Sequence, residues 1–141
     1  MILFEKQYIC LIMNVQEQID YWLSGSRYDL DTAEAMLATK RLLYVGFCCH
    51  LAVEKVLKGY FVKSTQTTAP YTHNLLLLAT KSGMTEKLTE SQLDLLDRLT
   101  PLNIEGRYPS YKDALSKALS FEYCKTLFQE TVTFCKWTEM Q

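Results

Sequence analysis

Between Leu42 and Lys63, the residues Val45, Cys49, Ala52, Val53, Val56 and Tyr60 recur at the i, i+4, i+7, i+8, i+11, i+15 spacing that lines one face of an α-helix. An apolar face this long has to be covered along its whole course. The opposite side is not simply polar either, because Tyr44, Phe47 and Leu51 lie near Glu54 and Lys58. A helix with two faces that need cover is expected at the centre of a bundle or at a dimer interface.

The other segments read as partners for it. From Val15 to Leu37, the residues Ile19, Trp22, Leu23, Leu30, Ala33, Met36 and Leu37 form a second helical stripe. Gly25 inside that stripe costs about 1 kcal/mol relative to alanine, and the run Ser24-Gly25-Ser26 predicts a close crossing with a neighbouring backbone. Ser64 to Thr72 is a Thr/Ser-rich loop containing Pro70, after which Thr72 is expected to cap a short helix from Leu75 to Ala79 that stops near Gly83. The four leucines of that helix read as core. A further helix runs from about Ser91 to Leu99 and is expected to end at Pro101. The last helix, with Ser120 as its cap, places Cys124, Leu127, Phe128, Thr131, Phe134 and Cys135 on one face. No segment alternates with period two. The expectation is an all-α, up-and-down bundle of four to five helices in a single domain over residues 13–141, without internal repeats. With 141 residues, 48% of them hydrophobic, the chain is long enough to hold one core.

Residues 1–12 stand apart. Glu5 and Lys6 interrupt the apolar run and no small-residue cleavage site follows, so the segment does not read as a secretory leader, and it is too short to span a bilayer. Met13 directly precedes the first helical stripe, so this extension reads as a misassigned translation start, with a docking arm as the alternative. The five cysteines are odd in number and contain no C-x-x-C pair, which fits neither a disulfide framework nor a zinc cage and points to a reduced, cytoplasmic setting. A formal net charge of −1 lacks the basic excess of a protein that grips nucleic acid mainly by charge.

Gly25-Ser26 followed by Asp29-Leu30-Asp31 resembles the phosphate-and-metal motif of nucleotidyltransferases. Such a metal pair needs i and i+2 side chains on one face of a strand, whereas in a helix residues two apart diverge by about 200°. Both aspartates are therefore expected on the outer, solvated face of the first helix. Neither G-x-x-x-x-G-K-[ST] nor G-x-G-x-x-G is present, so a nucleotide would have to be held by side chains. His50 and His73 have no ligand spacing, and no metal or cofactor is expected.

Two groupings carry more chemistry. His50, Glu54 and Lys58 follow at i, i+4 steps along one ridge and supply a base, an acid and a cation. The bland alternative is an i, i+4 Glu–Lys pair worth about 0.2–0.5 kcal/mol, with His50 satisfied in packing. Arg107-Tyr108-Pro109-Ser110-Tyr111 combines a guanidinium suited to phosphate with phenol rings suited to stacking on a base. Against that, Arg107 would pair with Glu105 or Asp113 while the tyrosines pack the bundle end. His73, at the entry to the short helix, faces either a site or the local backbone.

Taken in order, Tyr21-Trp22-Leu23 with Asp29-Leu30 and Ala33, then Ala52-Val53-Glu54-Lys55-Val56-Leu57-Lys58, Thr72-His73-Asn74-Leu75 and Arg107-Tyr108-Pro109 resemble a stand-alone HEPN domain from Val15 to about Trp137. The resemblance implies a dimer-forming bundle that works beside a minimal nucleotidyltransferase, in a family whose members act as ribonuclease toxins of toxin–antitoxin pairs or bind nucleotides. The ribonuclease branch carries an Arg followed after four to six residues by His, which this sequence lacks. The reading is therefore a non-catalytic HEPN-type homodimer with a nucleotidyltransferase partner and a polar cleft for a nucleotide or RNA. Its candidate binding residues are Glu54, Lys58, His73, Arg107 and Tyr108. The alternatives are a metal-independent endoribonuclease, in which Arg107 and His73 or His50 converge in space, and a purely structural partner-binding bundle.

Overall fold

The computed structural model describes residues 12–105 and 117–141. Helix α1 spans Val15–Ala38, α2 Leu42–Thr65, α3 Leu75–Lys81, α4 Glu90–Glu105 and α5 Phe121–Glu139, with a 3-10 turn at Met84–Lys87. The described residues form an all-α bundle without strands.

Local chemistry fixes most helix starts. Asn14 caps α1 by accepting the Glu17 amide at 2.8 Å, and Ser120 Oγ accepts the Tyr123 amide at the start of α5. At α4, Thr89 Oγ1 accepts the Gln92 amide while Gln92 Oε1 accepts the Thr89 amide, a reciprocal capping box. The short link from α1 to α2 turns through Lys40 in the left-handed region at φ 59°, so the two longest helices form an antiparallel pair.

Helix α2 is the axis of the bundle, with α1, α3, α4 and α5 all packed on it. Burial therefore runs almost all the way round: Val45, Cys49, Ala52, Val53, Val56 and Leu57 are fully enclosed, and so are the polar residues His50, Glu54 and Lys58. Tyr44 is exposed, while Phe47 and Leu51 are half-buried. From the other helices, Leu75, Leu78, Leu96, Leu99, Leu127 and Phe134 complete the core.

The α1–α2 crossing is tight, as Ser24-Gly25-Ser26 predicts. Ser26 Oγ donates to the Ala52 carbonyl at 2.7 Å, and a Cβ at Gly25 would stand 3.1 Å from Lys55 Cδ. Further along α2, a Cβ at Gly46 would meet Leu102 Cδ1 at 2.8 Å, so this glycine lets α4 approach.

Four local expectations are corrected. Pro101 does not end α4 but lies inside it. The carbonyl it leaves without an amide partner belongs to Asp97, and both residues are exposed. The cap of α3 is Asn74, whose side chain accepts the Leu77 amide at 2.9 Å, while Thr72 Oγ1 instead accepts the Asn74 amide. Of the four leucines in α3, Leu75 and Leu78 are buried but Leu76 and Leu77 are 45% and 36% exposed, because a two-turn helix lying on α2 has an outer side. Asp29 is not solvated. It is buried at the α1–α2 contact and ion-paired to Lys55 Nζ at 2.7 Å, whereas Asp31 is exposed.

Candidate functional site

The chain's two histidines, 23 positions apart, converge on one carboxylate. Helical spacing puts His50, Glu54 and Lys58 on one ridge of α2, and the loop leading into α3 brings His73 back over that ridge. Glu54 Oε2 accepts from Lys58 Nζ at 3.1 Å, and Glu54 Oε1 bonds His73 Nδ1 at 2.8 Å, with His50 Nδ1 at 3.9 Å. An ionised carboxylate only accepts, so in this contact the proton sits on His73 Nδ1 when Glu54 is ionised. Glu54, Lys58 and His50 are almost wholly enclosed, while the His73 side chain is 39% exposed.

Aromatic rings enclose the cation. Lys58 Nζ lies 5.0 Å from the Trp22 ring centroid and 5.9 Å from that of Tyr71, within the range of a cation–π attraction. Tyr71 also meets His73 edge-to-face at 6.1 Å. Together these groups wall a cavity of about 220 Å3, which Trp22, Leu51, Glu54, Lys55, Lys58 and the loop residues Thr68 to Tyr71 and His73 line. Behind the wall, Lys55 is paired to Asp29. Burial pushes the Asp29 carboxyl above its usual range, and the Lys55 hydrogen bond and charge oppose that shift without cancelling it.

Three of the five candidate residues, Glu54, Lys58 and His73, thus meet in one place. Arg107 and Tyr108 lie outside the described residues. Sequence reasoning missed Trp22 and Tyr71 as site residues. Trp22 fits the apolar stripe of α1 and reads as core, and it does pack with Phe61, Val62 and Ala69. Tyr71 sits in a Thr/Ser-rich loop with no periodicity, where the one available signal is an aromatic ring placed between Pro70 and His73.

A family model of the HEPN domain matches residues 19–141, nearly the whole chain. The chain belongs to the HEPN domain family. The HEPN fold extends to a solved structure, the crystal structure of TT1696 from Thermus thermophilus, which is 20% identical with a TM-score of 0.75 over 91% of this chain and 98% of that one. Among curated proteins, none matches the chain at a significant level. In this HEPN protein, no helix among the described residues is long and apolar enough to cross a membrane.

Proposed function

We propose that this HEPN protein is a non-catalytic binding module that takes a nucleotide or a segment of RNA in the cavity between α1, α2 and the 66–74 loop. It acts as a homodimer with a nucleotidyltransferase partner. The observation that carries the reading is the convergence of Trp22, Tyr71, Lys58, Glu54 and His73 around one cavity. Flat aromatic faces with a few fixed polar groups are what a base recognises, and base–aromatic stacking contributes about 1–3 kcal/mol per base. Exposed Tyr21, Tyr28 and Tyr44 on the outer side of the α1–α2 pair support a second protein surface there. The partner's class rests on the family resemblance. The missing Arg-to-His spacing favours binding over cleavage.

Isothermal titration with ATP, GTP and a short single-stranded RNA tests the ligand. Saturable binding at one ligand per chain, weakened by Tyr71→Ala at unchanged melting temperature, supports the reading. No heat at millimolar ligand overturns it. Light scattering and a pull-down from native extract test the dimer and the partner: a monomer that recovers no nucleotidyltransferase removes that half of the proposal.

One observation favours a second reading, that of a metal-independent ribonuclease. The imidazole of His73 is bonded through Nδ1 to the Glu54 carboxylate and is partly exposed, the kind of pairing that a general base uses. Wild-type protein that leaves a fluorescent RNA intact, or His73→Ala protein that cuts it equally well, counts against this alternative.

A further inference from the structure

Resting on the nucleotide reading above, we infer that the cavity is a nucleobase subsite and that the phosphates of a bound nucleotide stay outside it. Size is the first argument. The cavity holds about 220 Å3, below the ~300 Å3 at which pockets for drug-sized ligands begin. It has room for one heteroaromatic ring system but not for base, ribose and phosphates together.

Charge is the second. Both ammonium groups in the wall already have a carboxylate, Lys58 with Glu54 at 3.1 Å and Lys55 with Asp29 at 2.7 Å. A phosphate entering the cavity would compete with Glu54 for Lys58 and bring a second anion beside a carboxylate that is only 4% exposed. Breaking a buried pair by removing one partner is strongly unfavourable. A neutral base leaves both pairs intact.

The third argument concerns backbone donors. Phosphate sites in proteins commonly use free amides at a helix start. Next to this cavity, the Asn74 amide is taken by Thr72 Oγ1 and the Leu77 amide by Asn74 Oδ1. What the cavity does offer is ring faces and aliphatic walls: Trp22, Leu51, Ala69, Pro70 and Tyr71, the last 41% exposed at the mouth.

The consequence is an unusual affinity pattern. A site that reads phosphates tightens with each added phosphate and loses affinity steeply with salt. Here the base supplies the contacts, so nucleoside, monophosphate and triphosphate bind alike. The test is titration of the full chain with the four ribonucleosides and their 5′-mono- and triphosphates at two salt concentrations, followed by Trp22 fluorescence in a Trp137→Phe background. Dissociation constants within about threefold along one base's series, little changed by salt and raised about tenfold or more by Tyr71→Ala, support the inference. Triphosphate or RNA binding while every nucleoside stays silent overturns it and leaves the nucleotide reading standing, as does competition by inorganic triphosphate. Absence of binding by nucleosides, nucleotides and RNA alike overturns both.

Discussion

Ser26 Oγ donates a 2.7 Å hydrogen bond to the backbone carbonyl of Ala52, directly from α1 to α2. The contact is buried, so neither a missing hydroxyl nor a larger side chain is replaced by water. Ser26→Ala is expected to lower stability by about 0.5–1.5 kcal/mol, the net value of one such bond. Ser26→Leu forces the helices apart and is expected to cost about 1–3 kcal/mol. Urea unfolding followed by circular dichroism checks both, as a shifted midpoint at constant slope.

Glu54 and Lys58 form a buried ion pair, so the loss of one member differs from the loss of both. Glu54→Ala leaves the Lys58 ammonium between two rings without its carboxylate and is expected to destabilise by about 3–5 kcal/mol. The double variant Glu54→Leu with Lys58→Met refills the space with apolar groups and is expected to recover most of that loss. A double-mutant cycle on thermal unfolding reads the difference. Equal stability of the single and double variants would show that the pair is not buried as described.

Burial pushes the thiols of Cys49 and Cys135 from the ordinary 9.0 up to about 12, with the neighbouring Thr131 and Ser26 hydroxyls opposing the shift without cancelling it. Above pH 9 the unfolded chain therefore releases thiol protons that the folded chain keeps. Stability is expected to fall as pH rises from about 9 towards about 12. Unfolding free energies across that window check the slope, and Cys49→Ala or Cys135→Ala is expected to make it shallower.

Pro101 sits on the exposed side of α4 and costs that helix one backbone bond. Replacing it with alanine restores the bond to the Asp97 carbonyl. The gain approaches the ~3 kcal/mol interior cost of proline, reduced by the ~0.4–1 kcal/mol that the wider unfolded ensemble takes back. A higher melting temperature for Pro101→Ala is the expected result. A lower one would mean that the proline ring itself helps to place Leu102 against Gly46.

Much of the architecture was legible in the sequence because it rests on periodicity. The stripes of α1, α2 and α5 and the small residues at Ser24-Gly25-Ser26 each force one arrangement. Pro101 misled because the proline rule weighs only the lost amide and the crowding of the preceding turn, and whether the helix continues through them is decided by its packing on α2, a tertiary fact. Asp29 misled for the same reason: helical phase places it away from Asp31 but does not show that Lys55 of α2 will cover it. For the candidate site, spacing along α2 put Glu54 and Lys58 together. It could not bring in Trp22 or Tyr71, which arrive through the helix crossing and a loop whose path no local pattern encodes.

Every described residue that lines the cavity lies between Trp22 and His73. The chamber is thus written, among the described residues, in one unbroken stretch of chain: a helical hairpin and the loop that follows it. These parts close over short sequence distances. Helices α4 and α5 add no described residue to the cavity lining; both pack on α2, and α5 also on α1, so they act as a buttress. Changes on their outer faces should be free to reshape the far side of the bundle while leaving the cavity wall untouched.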